Sequence, residues 1–107
     1  MMDDNIFDKL PDFPQREEIF ELICKNDIVK IERIISSGQN SPDDFWYEQE
    51  WNEFVIIIQG SAEIVFSNKR VKLKAGDYLN IPAMEKHRVE STDKECFTIW
   101  LAVHYHP

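Results

Sequence analysis

Two glycine-anchored spacings carry the chemistry of this chain. Glu53 is followed after six residues by Gly60, and Gly76 is followed after five residues by Pro82, with His87 five positions beyond the proline. Glycine tolerates the positive φ of tight turns, and a proline at a strand end redirects the chain. The two spacings therefore offer one carboxylate and one imidazole from separate segments. Such a pair can supply half of a metal site with two histidines and one carboxylate, or it can transfer protons. Other chemistries find little support. No Ser, Cys or Thr stands in a recognisable relation to His87, and no G-x-S-x-G occurs. Three glycines leave no phosphate-cradling loop.

The elements that must position these residues are mostly strands. Ile28 to Ser36 is rich in β-branched residues, and Phe54-Val55-Ile56-Ile57-Ile58 is an apolar run closed by Gly60. Ser61 to Phe66, Val71 to Leu73, Tyr78 to Ile81, Arg88 to Glu90 and Phe97 to Tyr105 follow, with turns at Ser67-Asn68-Lys69 and Ala75-Gly76-Asp77. Phe45 to Gln49 reads as a short aromatic strand after the turn-prone Ser41-Pro42-Asp43-Asp44. Its alternation puts Tyr47 and Gln49 on one face and turns Glu48 and Glu50 to the other. Pro14 at a first helical position, Glu17 and Glu18 in the first turn, and Ile19, Phe20, Leu22 and Ile23 as an apolar face predict one short helix over 15–25. Ahead of it, Ile6, Phe7, Leu10 and Phe13 could pin an arm to a surface. Many short strands with a single helix indicate an antiparallel barrel or sandwich.

The totals bound the rest. At 107 residues one domain is expected, with 43% hydrophobic and 30% charged residues as in ordinary globular chains. A net charge of −8 repels phosphate backbones and anionic lipid surfaces, so neither nucleic acid nor membrane is an expected partner. The acidic Met1-Met2-Asp3-Asp4 opening has no apolar signal region. A cytoplasmic protein is expected, with Cys24 and Cys96 as reduced, buried small hydrophobes. His106 reads as a solvated terminal residue, and Asp93-Lys94-Glu95 as an exposed turn.

The run from Glu53 to His87, and "AGDYLNIPAMEKHRV" above all, resembles a cupin. "SGQNSPDDFWYEQEWNEFVIIIQG" and the terminal "IWLAVHYH" extend the likeness to a group of small bacterial cupins of unassigned activity. The resemblance implies an all-β, double-stranded β-helix (jelly-roll) barrel over 28–107, with residues 1–27 as the arm and short helix packed on it. Departures accompany the match. Where the family usually carries His-x-His, this chain has Tyr47 and Gln49. Where it usually carries a glycine two residues after the proline, this chain has Met84, and Ser91 stands where asparagine usually ends the second motif.

On that resemblance Tyr47, Gln49, Glu53, Val55 and Ile57 face into the barrel, and His87 enters from the second motif. Glu53 and His87 are the candidate catalytic residues, and Tyr47, Gln49, Trp46 and Met84 the candidate substrate contacts. If the pocket holds a divalent transition metal (Fe, Mn, Ni or Zn), the candidate ligands are Glu53, His87, Gln49 and His104, with His104 placed on a last strand that can run beside Glu53. Trp51 and Trp100, like Trp46, could stack on a ligand ring or fill the core. Two classes of function stay open: a metal-dependent or acid–base enzyme acting on a small molecule, and a metabolite-binding module without turnover. A homodimer is expected, in which a two-fold partner buries the apolar arm.

Overall fold

The structure is a computed structural model that describes residues 4–42 and 44–107. Met1, Met2 and Asp3, and Asp43 of the expected turn, lie outside the described residues. Eight strands follow in order: β1 (Ile19–Lys25), β2 (Val29–Ser36), β3 (Asn52–Gln59), β4 (Ser61–Phe66), β5 (Arg70–Lys74), β6 (Tyr78–Ile81), β7 (His87–Thr92) and β8 (Thr98–Tyr105). They form a five-stranded sheet, β1-β2-β8-β3-β6, and a three-stranded sheet, β5-β4-β7. Every pairing is antiparallel. The two sheets enclose a jelly-roll core of Val55, Ile57, Ile64, Phe66, Leu73 and Trp100, all buried. These residues sit at alternate positions of their strands, as a sheet with one buried face requires.

The expected helix over 15–25 is not formed. Residues Ile19–Lys25 are the edge strand β1, paired with β2 in the register Ile19↔Ile35, Phe20↔Ile34, Glu21↔Arg33 and Leu22↔Glu32. The register shifts between Leu22 and Cys24, which leaves Ile23 as the extra residue of a bulge. The bulge sets Leu22 and Ile23 side by side and breaks the two-residue alternation, so the apolar spacing imitates a helical face. The short strand expected at Phe45–Gln49 is also absent. Only one bridge, Tyr47↔His87, pairs there.

The N-terminal arm closes on the outer face of the large sheet. Ile6, Leu10 and Ile19 pack on Ile35, Phe97 and Ile99, and the Phe13 ring meets Phe97 edge-on at 5.1 Å. Arg33, buried on this face, donates to the carbonyls of Ile6 and Asp8 at 2.9 and 2.7 Å and to Glu21 at 2.6 Å. Those bonds satisfy a buried guanidinium and fix the arm to β2. The cysteines differ from expectation, since Cys24 is exposed and Cys96 half-buried, both free. Cys24 is exposed because β1 is an edge strand that nothing overlies at that end. Among the described residues no helix is long and apolar enough to cross a membrane.

Candidate functional site in the barrel

The inner face of the large sheet brings three of four polar residues to one cavity. Glu53, second in β3, stands opposite His104 of β8 and Ile81 of β6. Directly opposed residues share a face, so His104 points inward with Glu53. One strand further over, Glu32 of β2 shares that face. His87 opens β7 on the small sheet and completes the set from the other side. The cavity measures about 130 Å³, and its walls include Val55, Ile64, Trp100 and the exposed ring of Phe20.

The four residues form two carboxylate–imidazole pairs. His87 Nε2 lies 3.7 Å from Glu53 Oε1, on side chains that are 7% and 11% exposed. His87 Nδ1 lies 3.0 Å from the Glu85 carbonyl. A carbonyl only accepts, so Nδ1 carries the hydrogen, and in the neutral ring Nε2 presents its lone pair to the cavity. In the second pair, His104 Nε2 donates to Glu32 Oε1 at 3.2 Å.

The segment 47–49 roofs the site. Tyr47 and His87 exchange backbone hydrogen bonds, and the Gln49 carbonyl accepts from Met84 N at 2.6 Å. Gln49 Nε2 donates to Glu53 Oε1 at 3.2 Å. Burial, then the Glu18 carboxylate, push the Tyr47 phenol above its ordinary range, with Glu53 adding to them and a hydrogen bond with Ser41 opposing. Tyr47 is therefore a neutral donor. Glu18 reaches the same cavity from the start of β1. Its Oε2 accepts from Ser36 Oγ at 2.5 Å, and Ser36 Oγ accepts from Trp100 Nε1 at 3.0 Å.

Tyr47, Gln49, Glu53, His87 and His104 thus line one cavity. Trp46 and Met84 do not line the cavity. The Trp46 ring lies under the Arg88 guanidinium at 6.0 Å, because alternation about Tyr47 turns it outward. Met84 is 55% exposed on the turn after Pro82, with φ at +67°. Glu48 and Glu50 are exposed, and so is His106. The sequence reading missed Glu18, Phe20 and Glu32. Glu32 shares its alternation phase with Ile34 and could have been found from that. Glu18 and Phe20 were hidden by reading β1 as a helix.

The donor set is poorly disposed for a metal. Among the described residues, no group of three or more His, Cys, Asp or Glu is disposed to hold an ion. His104 is committed to Glu32, and Gln49 turns its NH₂ rather than its oxygen to Glu53. As they stand, these side chains do not fit a transition-metal centre. Neither Cys24 nor Cys96 lines the cavity, and burial, then Asp93, push the Cys96 thiol up.

Comparison with known proteins agrees with the fold. A family model described as a cupin domain matches residues 34–104. The chain is similar to a protein of Ralstonia eutropha JMP134, provisionally described as a mannose-6-phosphate isomerase, at 38% identity, full coverage of both chains and a TM-score of 0.95. A cupin superfamily protein of Desulfitobacterium hafniense DCB-2 shares 19% identity over 91% of this chain and 84% of its own, at a TM-score of 0.75. The cupin domain of an XRE-family transcriptional regulator of Enterobacter cloacae shares 13% over 84% and 97%, at 0.69. The last two show likeness of fold alone. No curated protein matches the chain. With a cupin model over most of its length and a full-length relative of the same architecture, the chain belongs to the cupin family.

Proposed function

We propose that this cupin transfers protons on a small molecule held inside the barrel, with Glu53 and His87 as the working pair and Tyr47 and Gln49 orienting the substrate. One observation carries the reading. The Glu85 carbonyl fixes His87 so that the Nε2 lone pair faces the cavity, 3.7 Å from a nearly buried carboxylate. Neutral Nε2 can take a proton from a bound C–H or O–H, and Glu53 stabilises the imidazolium that results. Microscopic reversal returns the proton to the same or a neighbouring atom. The Ralstonia relative's description names an isomerase, and interconverting an aldose and a ketose is proton transfer of this kind.

The test is solvent exchange. Small carbonyl compounds, amino sugars and hexoses incubated with the protein in D₂O are followed by mass spectrometry. Deuterium uptake should fall by about 10² or more in Glu53→Gln and His87→Gln. Uptake equal to wild type in both variants would sink the proposal. Ligand-induced stabilisation with no uptake for any compound would favour the binding module instead.

A further inference from the structure

We infer that the barrel selects a small primary ammonium compound and rejects phosphorylated or carboxylated ones. This rests on the reading of the cavity as a small-molecule acid–base site, and it names the class of ligand. Among the described residues three carboxylates line the cavity, Glu18, Glu32 and Glu53, against two imidazoles, His87 and His104, and no Lys or Arg lines it. The lining is net negative whether the imidazoles are neutral or protonated. Lys30 sits in the adjoining cleft, with its Nζ 3.8 Å from Glu32 Oε2.

Hydrogen-bond capacity points the same way. Ionised carboxylates only accept, and the neutral His87 Nε2 presents a lone pair. That nitrogen faces the cavity 3.7 Å from Glu53 Oε1, on a side chain only 7% exposed. The inward donors are few, and Gln49 has already spent one on Glu53. A pocket rich in acceptors and poor in donors is complemented by a group that only donates. An ammonium has three N–H bonds and a positive charge, and can give one bond to Glu53 and one to His87 Nε2. The rings of Phe20, Tyr47 and Trp100 on the same cavity suit a cation and its apolar body. A phosphate would bring acceptors to acceptors and negative charge to carboxylates.

Four probes test this on the full chain, with the histidine ring signals followed by NMR: cyclohexylamine, cyclohexanol, cyclohexanecarboxylate and mannose 6-phosphate. The first three share a shape and differ in charge. Cyclohexylamine should bind about tenfold or more tightly than cyclohexanol, and both anions more weakly still. Glu32→Gln and Glu53→Gln should each cut the amine-to-alcohol ratio severalfold. Glu48→Gln, the same charge change at an exposed position outside the cavity, should leave it intact. The ratio is internal to each variant, so a change in stability does not imitate the effect. Carboxylate or mannose 6-phosphate binding as well as the amine overturns the inference and leaves the pocket reading standing. An equal fall in Glu48→Gln overturns it as well, since the preference would then be a general field. If no probe moves the signals of His87 or His104, both the inference and the small-molecule reading fall.

Discussion

Tyr47 and His87 hold each other by a single β-bridge: Tyr47 N donates to His87 O at 2.7 Å, His87 N donates to Tyr47 O at 3.1 Å, and their rings stack at 5.7 Å. One residue of roof is thereby locked to one residue of the cavity wall. The bridge explains how Tyr47 stays over the cavity without a strand to carry it.

The phenol in that bridge makes stability sensitive to alkali. Burial, first, raises the folded-state pKa of Tyr47 above the ordinary value of 10.0. A group whose folded pKa is raised contributes fully below its unfolded pKa. The contribution is lost as pH rises from there through the folded value. Wild type should therefore lose stability above about pH 10 more steeply than Tyr47→Phe, which has no proton to hold. Urea titrations of both proteins at pH 9 and pH 11 check this. Parallel losses in the two would exclude Tyr47 as the cause.

Backbone conformation separates three positions. A Cβ at Gly60 would lie 2.6 Å from Thr98 Oγ1 and 2.8 Å from Thr98 Cα, at a φ of +86°. Gly60→Ala should cost about 3 kcal/mol or more, from overpacking added to left-handed strain. Gly76 has φ +92° and open space around it, so Gly76→Ala should cost only about 1–2 kcal/mol. Met84 bears the strain already, at φ +67° with an exposed side chain. Met84→Gly should be neutral or stabilising by up to about 1 kcal/mol. Denaturant midpoints rank the three, and Gly60→Ala no worse than Gly76→Ala would refute the packing argument.

Most of the fold was legible because β2 to β8 obey simple rules. Their inward residues alternate, and their turns carry Gly, Asn or Asp where the chain reverses. The site was legible where alternation and the cupin resemblance act together, as at Glu53, Val55 and Ile57, or where the resemblance matches a spacing, as at His87. It failed where tertiary pairing overrode local pattern. The bulge at Ile23 gave β1 a helical spacing, and that misreading concealed Glu18 and Phe20. The pairing of His104 with Glu32 depends on which strands neighbour β8, which no local periodicity encodes. Met84 shows the reverse case: a departure from glycine that the backbone tolerates at a left-handed position without bringing the side chain into the cavity.

The expected homodimer would have to use other residues than those the sequence suggests. On the arm, Ile6 and Leu10 pack on its own sheet, and Arg33 holds its carbonyls, while Phe7 and Phe13 stay partly exposed. The edge strand β1 also stays uncovered, with Phe20 57% and Leu22 54% exposed. An exposed apolar edge is a template for pairing, and we propose a two-fold dimer that covers it. Sedimentation should show a dimer at about 100 μM, and Leu22→Lys should shift it to monomer. A wild-type monomer at that concentration would defeat the proposal.

Gln49 decides whether this barrel can be given a metal. Its Nε2 lies 3.2 Å from Glu53 Oε1, and Glu53 Oε1 lies 3.7 Å from His87 Nε2. An imidazole at position 49 would stand beside a carboxylate and a second imidazole, a donor set of the kind first-row metals favour. Gln49→His should therefore gain a Ni²⁺-dependent rise in stability that wild type lacks. Ligand linkage puts the gain at about 2.7 kcal/mol when free metal is a hundredfold above the dissociation constant. In the absence of metal the same change should cost about 1 kcal/mol, because the Gln49–Glu53 hydrogen bond is lost and a larger ring enters the roof. Thermal melts of both proteins with and without Ni²⁺ read the two effects separately, since they differ in sign. A metal-dependent shift already present in wild type would show that Glu53, His87 and Gln49 suffice as they stand. No shift in the variant would show that the paired Glu32 and His104 leave too little freedom for a third donor to matter.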